Sequence, residues 1–209
     1  IGTQIQVTCE IESLAGIEAD SDVTYKIGDV MYDFTLTDIE GNTLSLYELL
    51  ETKKAVILNF WYTTCSACYY EFPYMVEAYD STYTDANDEI RKYSDDIAII
   101  AVNPGFAGDV DTLEEIINFA ESMGLNFNVA LDYDQDESSI TLDPALTLMF
   151  GVVAYPTTVI IDSYGLIAEV GEGAVTDTSK WTQTFDKYLD ENYYPTYTGN
   201  VEQDAFVEP

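Results

Sequence analysis

The sequence predicts an α/β chain built on a buried sheet, and three features point to it. Two apolar runs, Ala55–Phe60, broken only by Asn59, and the continuous Ile97–Val102, have the length and β-branched content of strands covered on both faces. Each is followed by an amphipathic segment of helical period. Two further pairs of short apolar stretches flank turn-forming residues, Asp38-Ile39-Glu40-Gly41-Asn42 and Asp162-Ser163-Tyr164-Gly165, and read as hairpins.

In chain order, Thr3–Ile11 alternates, with Ile5, Val7, Cys9 and Ile11 on one face, which predicts a half-buried strand carrying Cys9 as a packed, inert thiol. A polar stretch from Ser13 to Tyr25 reads as a loop. Asp33–Leu36 and Thr43–Leu46 form the first hairpin, and Ser45 caps a short helix through Leu50, with Glu48 placed to complete a capping box. After the strand Ala55–Phe60, a helix starts near Ser66, kinks at Pro73 and runs to about Tyr79. Beyond Ile97–Val102, Asp109–Met123 is helical with Leu113, Ile116, Ile117, Ala120 and Met123 on one face, and Gly124 stops it. Asn128–Leu131 is a short strand. Asp143 and Pro144 open a helix ending at Phe150. Thr157–Ile161 and Leu166–Val170 make the second hairpin, and Thr176–Leu189 a last helix with Trp181, Phe185, Tyr188 and Leu189 inward. The organisation is one domain over residues 26–190, an N-terminal strand and loop extension (1–25), and an acidic, Tyr-rich C-terminal extension (191–209).

Composition excludes several function classes. With 39 acidic and 7 basic residues the net charge is −32, which opposes binding to nucleic acid or an anionic membrane surface. The acids are scattered, as on a solvated surface; steering of a basic protein substrate is the alternative use. At 47% hydrophobic residues the chain can bury a sizeable core, yet no apolar run approaches the roughly 20 residues that cross a bilayer. It begins at Ile1 without an initiator Met, compatible with removal of a signal peptide or lipid-anchor segment. There is no histidine, so the usual general base, haem ligand and most transition-metal sites are absent together. Arg91 is the only arginine.

The chemistry concentrates at Cys65-Ser66-Ala67-Cys68, where a strand turns into a helix. The first N–H groups of a helix have no partner within it, so they and the helix dipole favour a thiolate at Cys65. That predicts an exposed, nucleophilic Cys65 and a more buried Cys68, which attacks a mixed disulfide formed at Cys65. A zinc site would need about four ligands, and Cys9 is the single further cysteine. A purely structural disulfide is the other alternative, although a bridge closing so short a loop constrains the unfolded chain little. Neither metal nor cofactor is expected. Asp132, Asp134 and Asp136, followed by Ser138 and Asp143, have oxygen-ligand spacing for calcium, but Glu137 stands where the sharp turn needs glycine.

Three motifs carry a resemblance: Gly28-Asp29-Val30 through Asp33-Phe34-Thr35-Leu36; Asn59-Phe60-Trp61 through Cys65, Cys68, Glu71 and Pro73; and Gly151-Val152 through Pro156-Thr157-Thr158 to Gly165. The chain resembles the ResA/TlpA branch of extracytoplasmic thiol-disulfide oxidoreductases, within the redoxin superfamily. The resemblance implies a thioredoxin-like three-layer sandwich, with a central mixed sheet, helices on both faces and an N-terminal β-hairpin. It implies a cis proline at Pro156 facing the cysteines, with Trp61 and Tyr155 beside it as substrate-binding residues. Glu71 matches a family glutamate, and stands one turn beyond Cys68, in position to exchange a proton with that thiol. Partners implied are a disulfide-containing protein substrate and a membrane or soluble dithiol electron donor. The chain is expected to be monomeric and to act outside the cytoplasm, at the cell surface or in the periplasm. Ala67 replaces the family's proline before the second cysteine and Thr64 its aromatic before the first, which leaves the reduction potential open. The rival readings are a thiol peroxidase, whose threonine position here holds Tyr62, and a redox-inactive binding module.

Overall fold

The computed structural model describes residues 24–104, 111–132 and 146–195. The expected strand Thr3–Ile11 with Cys9, and the calcium-loop positions beyond Asp132 with the helix start at Asp143 and Pro144, lie outside the described residues.

The elements run β1 (Thr35–Asp38), β2 (Thr43–Ser45), α1 (Leu46–Leu50), β3 (Ala55–Phe60), α2 (Ser66–Asp80), β4 (Thr82–Thr84), β5 (Ile90–Lys92), α3 (Tyr93–Asp96) and β6 (Ile97–Asn103), and continue with α4 (Leu113–Met123), β7 (Asn128–Leu131), α5 (Leu146–Met149), β8 (Thr157–Asp162), β9 (Ile167–Glu172) and α6 (Thr178–Leu189). Seven strands form one mixed sheet in the order β2-β1-β7-β6-β3-β8-β9, with β3, β6 and β7 parallel and the rest antiparallel to their neighbours. The two apolar runs are adjacent central strands, every residue of both being buried.

Side chains alternate across a strand, so the sheet has two apolar faces. Val56, Leu58 and Phe60 of β3 join Ala98, Ile100 and Val102 of β6 under α1 and α5. Ala55 and Ile57 join Ile97, Ile99 and Ala101 under α2, α4 and α6. The result is the three-layer α/β sandwich. The same alternation puts Asn59 on the face that α2 covers.

Helix ends follow local capping. The Ser45 hydroxyl accepts from the Glu48 N–H at the start of α1. Helix α4 begins at Leu113 rather than Asp109, because Thr112 and Glu115 form a reciprocal capping box there, and Gly124 ends it with φ 63°. Likewise α6 starts after Asp177, whose carboxylate accepts from the Ser179 N–H. Helix α2 continues through Pro73 to Asp80. Sequence reading passed over β4, β5 and α3, since three-residue strands with exposed or half-buried residues show no apolar alternation. Side chains hold that region: Asp85 accepts from the Asn87 and Glu89 N–H groups, and Asp96 takes two hydrogen bonds from Arg91.

At the end of β7, Asp132 is buried and accepts from the Leu146 and Thr147 N–H groups and the Thr147 hydroxyl, tying β7 to α5. Burial, opposed by those donors, pushes its carboxyl up to about 6. The folded chain therefore holds this proton at pH values where the unfolded chain, near 3.9, has lost it. That stabilisation is complete below about pH 4 and is lost as pH rises through 6. Relative to wild type, Asp132→Asn should remove a contribution of roughly 2–3 kcal/mol from the urea-unfolding profile across that window. Parallel wild-type and mutant profiles between pH 4 and 7 would contradict it.

Candidate active site

Strand β3 ends at Phe60, and the chain crosses Trp61–Thr64 to reach Cys65, the N-cap of α2. Cys65 and Cys68 are joined by a disulfide with S–S 2.04 Å. The Cys68 N–H donates to the Cys65 sulfur at 3.1 Å. The first turn of α2 thus aims a backbone donor at the Cys65 sulfur. Cys65 keeps 4% of its surface and Cys68 none, so the first cysteine is far less exposed than its helix-start position predicts. Its sulfur is bonded to Cys68 inside the apolar cluster that also holds Trp61 and Phe72.

Glu71 is fully buried. Its Oε1 accepts from the Val175 N–H at 2.8 Å, and its Oε2 from Asn59 Nδ2 at 2.9 Å. Burial raises its pKa, with these two donors opposing the shift. The sequence placed Glu71 in the site but missed both partners. Asn59 had left a trace, as the one polar residue in the run Ala55–Phe60. Val175 had left none, because it acts through its backbone N–H from the β9–α6 connection.

Trp61, expected on the substrate surface, is fully buried. Its ring meets Phe72 edge-on at 5.3 Å and lies 4.8 Å from Phe119. It therefore backs the cysteine turn from inside the core, and its burial leaves no face for a substrate. Tyr155 is half-buried, packs edge-on against Tyr62 at 5.3 Å, and is joined to Pro156 by a cis peptide bond. Burial, and secondarily the charge of Asp132, push the Tyr155 hydroxyl up to about 12.

A further support escaped the sequence. Asp111 accepts from the Thr63 N–H at 2.7 Å, the Thr63 hydroxyl at 2.5 Å and Asn103 Nδ2 at 2.7 Å, tying the turn before Cys65 to the end of β6. Arg91 is committed to Asp96, with Nε–Oδ2 2.7 Å and Nη2–Oδ1 2.8 Å. The peroxidase reading wants its arginine beside the cysteine instead. Among the described residues, no cluster of His, Cys, Asp or Glu could hold a metal ion.

The AhpC/TSA family model matches residues 27–170. The thiol-disulfide oxidoreductase ResA of Bacillus subtilis is 34% identical over 146 residues, covering 70% of this chain and 67% of that protein. The chain belongs to the AhpC/TSA family, among ResA-type thiol-disulfide oxidoreductases. The solution structure of a putative thioredoxin from Neisseria meningitidis matches this ResA-type chain with TM-score 0.56 at 27% identity, over 77% of this chain and 89% of that one. A thiol-disulfide isomerase from Corynebacterium glutamicum matches with TM-score 0.61 at 18% identity, over 79% and 98%, which shows the shared thioredoxin-like fold.

Two predictions follow from this ResA-type site. A short pulse of iodoacetamide on the reduced protein at neutral pH should label Cys65 before Cys68, read by peptide mapping; faster labelling of Cys68 would reverse their roles. Asp111→Ala should lower stability by about 1–3 kcal/mol in urea unfolding, since it leaves Thr63 and Asn103 donors without their acceptor. An unchanged midpoint would mean that those donors find water at no cost.

Proposed function

We propose that the protein reduces protein disulfides outside the cytoplasm, with Cys65 as nucleophile, Cys68 as resolving thiol and Glu71 as proton relay. The observation that carries this is the Cys65–Cys68 disulfide at the start of α2 with a buried carboxylate one turn further on. The Cys65 thiolate attacks a substrate disulfide, forming a mixed disulfide and expelling one substrate thiolate, which takes a proton from water. Cys68 then gives its proton to Glu71, and its thiolate attacks the Cys65 sulfur, expelling the second substrate thiolate. The substrate gains two electrons, and the pair ends as the disulfide seen here. A membrane or soluble dithiol donor restores it.

Tyr155, half-buried just ahead of β8, forms the wall along which an extended substrate segment lies, while Pro156, expected on that surface beside it, is buried and backs it. Both cysteines belong to one chain, so a monomer suffices for both steps. An extracytoplasmic site, at the cell surface or in the periplasm, suits this chemistry because protein disulfides persist where the surroundings are oxidising. Among the described residues, no helix is long and apolar enough to cross a membrane.

Glu71 accepts a proton only when ionised, so resolution should accelerate as pH rises through its elevated pKa. Glu71→Gln should slow resolution of a mixed disulfide at Cys65 by about 100-fold and abolish that pH inflection, while attack changes less. Stopped-flow measurement of the two steps across pH tests it. Equal rates and unchanged profiles would remove Glu71 from the mechanism.

A further inference from the structure

The clamp on Glu71 contains a residue whose chemistry exceeds what holding a carboxylate requires. Asn59 lies on β3, fully buried, and its Nδ2 donates both to Glu71 Oε2 at 2.9 Å and to the Thr158 hydroxyl oxygen at 3.2 Å. Thr158 is its partner in the antiparallel β3–β8 ladder. The other end of the same amide, Asn59 Oδ1, is buried with no hydrogen-bond partner among the described residues. A lone-pair acceptor left empty in a buried layer is costly, and calls for a state in which it is used.

We infer that Asn59 is a positioning residue that keeps Glu71 hydrogen-bonded in both protonation states. With Glu71 ionised, Nδ2 donates to the carboxylate, as observed. With Glu71 protonated, a half-turn of the amide about χ2 brings Oδ1 to the new O–H, and the Thr158 hydroxyl changes from acceptor to donor on the same oxygen. A hydroxyl serves either role, and the two ends of an amide have nearly the same shape. The half-turn leaves the Nδ2 N–H groups at the position where Oδ1 had no partner, so the clamp fits the ionised acid better than the neutral one. The proton that arrives on Glu71 comes from the Cys68 S–H; Asn59 and Thr158 keep all of theirs, and no electrons move. The inference rests on the relay role proposed for Glu71.

Each element around Glu71 contributes a defined group. Helix α2 brings Cys68, one turn away, which has no proton to exchange while it is bonded to Cys65. Strands β3 and β8 bring Asn59 and Thr158, neither of which titrates. The β9–α6 connection brings the Val175 N–H, whose own carbonyl accepts from Trp181 Nε1 of α6 at 3.1 Å. Val175 can only donate, so it favours the ionised acid in every state. Asn59 is the member of the clamp able to follow the proton.

The test uses the full chain. In the wild-type disulfide form, followed by NMR with labelled Asn and Glu, the Asn59 side-chain amide and the Glu71 carboxyl resonances should titrate with one midpoint. Asn59→Leu removes a donor that favours the charged form more than the neutral one, so it should raise the Glu71 midpoint by about one pH unit. The pH profile of resolution should move with it. Thr158→Val should move both in the same direction and by less, and it carries the test if Asn59→Leu does not fold. Asn59 resonances that stay flat through the Glu71 titration, or substitutions that leave the midpoint in place, overturn the inference. If Glu71→Gln removes the inflection while Asn59→Leu leaves it unmoved, the role of Asn59 alone fails. If Glu71→Gln also leaves it unmoved, the relay reading falls with it.

Discussion

A carboxylate buried in an apolar layer is the constraint around which this molecule is arranged. Glu71 occupies the interface between α2 and the sheet, where an unpaired charge would be expelled or neutralised. Its two oxygens are met by donors from separate parts of the chain, Asn59 on β3 and Val175 ahead of α6. Those donors offset part of the desolvation, and burial still prevails. The raised pKa is the surplus of that competition.

Holding Glu71 in place also fixes the helix that carries the cysteines. Phe72 and Met75 of α2 pack into the same cluster as Ile57 and Ile99 of the sheet, so α2 has one seating over β3 and β6. Trp61 fills the space behind the cysteine turn between Phe72 and Phe119. Asp111 closes the other side by gripping Thr63. The turn before Cys65 is held by packing within and hydrogen bonds without, while the sulfur of Cys65 receives the Cys68 N–H.

The net charge of −32 comes from acids scattered along the chain. Many carboxylates are tied to nearby backbone N–H groups, as Asp38, Asp85 and Asp162 show in their turns. Asp162 is the buried case: it accepts from the Tyr164 and Leu166 N–H groups and the Tyr193 hydroxyl, and burial raises its pKa. It thereby joins the tight turn after β8 to a residue beyond α6.

The local rules of the chain made the architecture legible. Apolar runs announce central strands because both faces are covered, and the Cys-x-x-Cys pair after the first run sits where helix N–H groups are unpaired. Glu71 could be named from its spacing to Cys68. Tertiary structure decided what that spacing cannot contain. It made Glu71 a buried acid, withdrew Trp61 from the surface, and enclosed Cys65 more tightly than its position suggested. It also drew in Asn59, Val175 and Asp111, each distant in sequence from what it holds. The physical reason is that propensity, capping and periodicity act within a few residues. Desolvation and hydrogen-bond satisfaction depend on which segments meet across the sheet, and only the packed layers determine that.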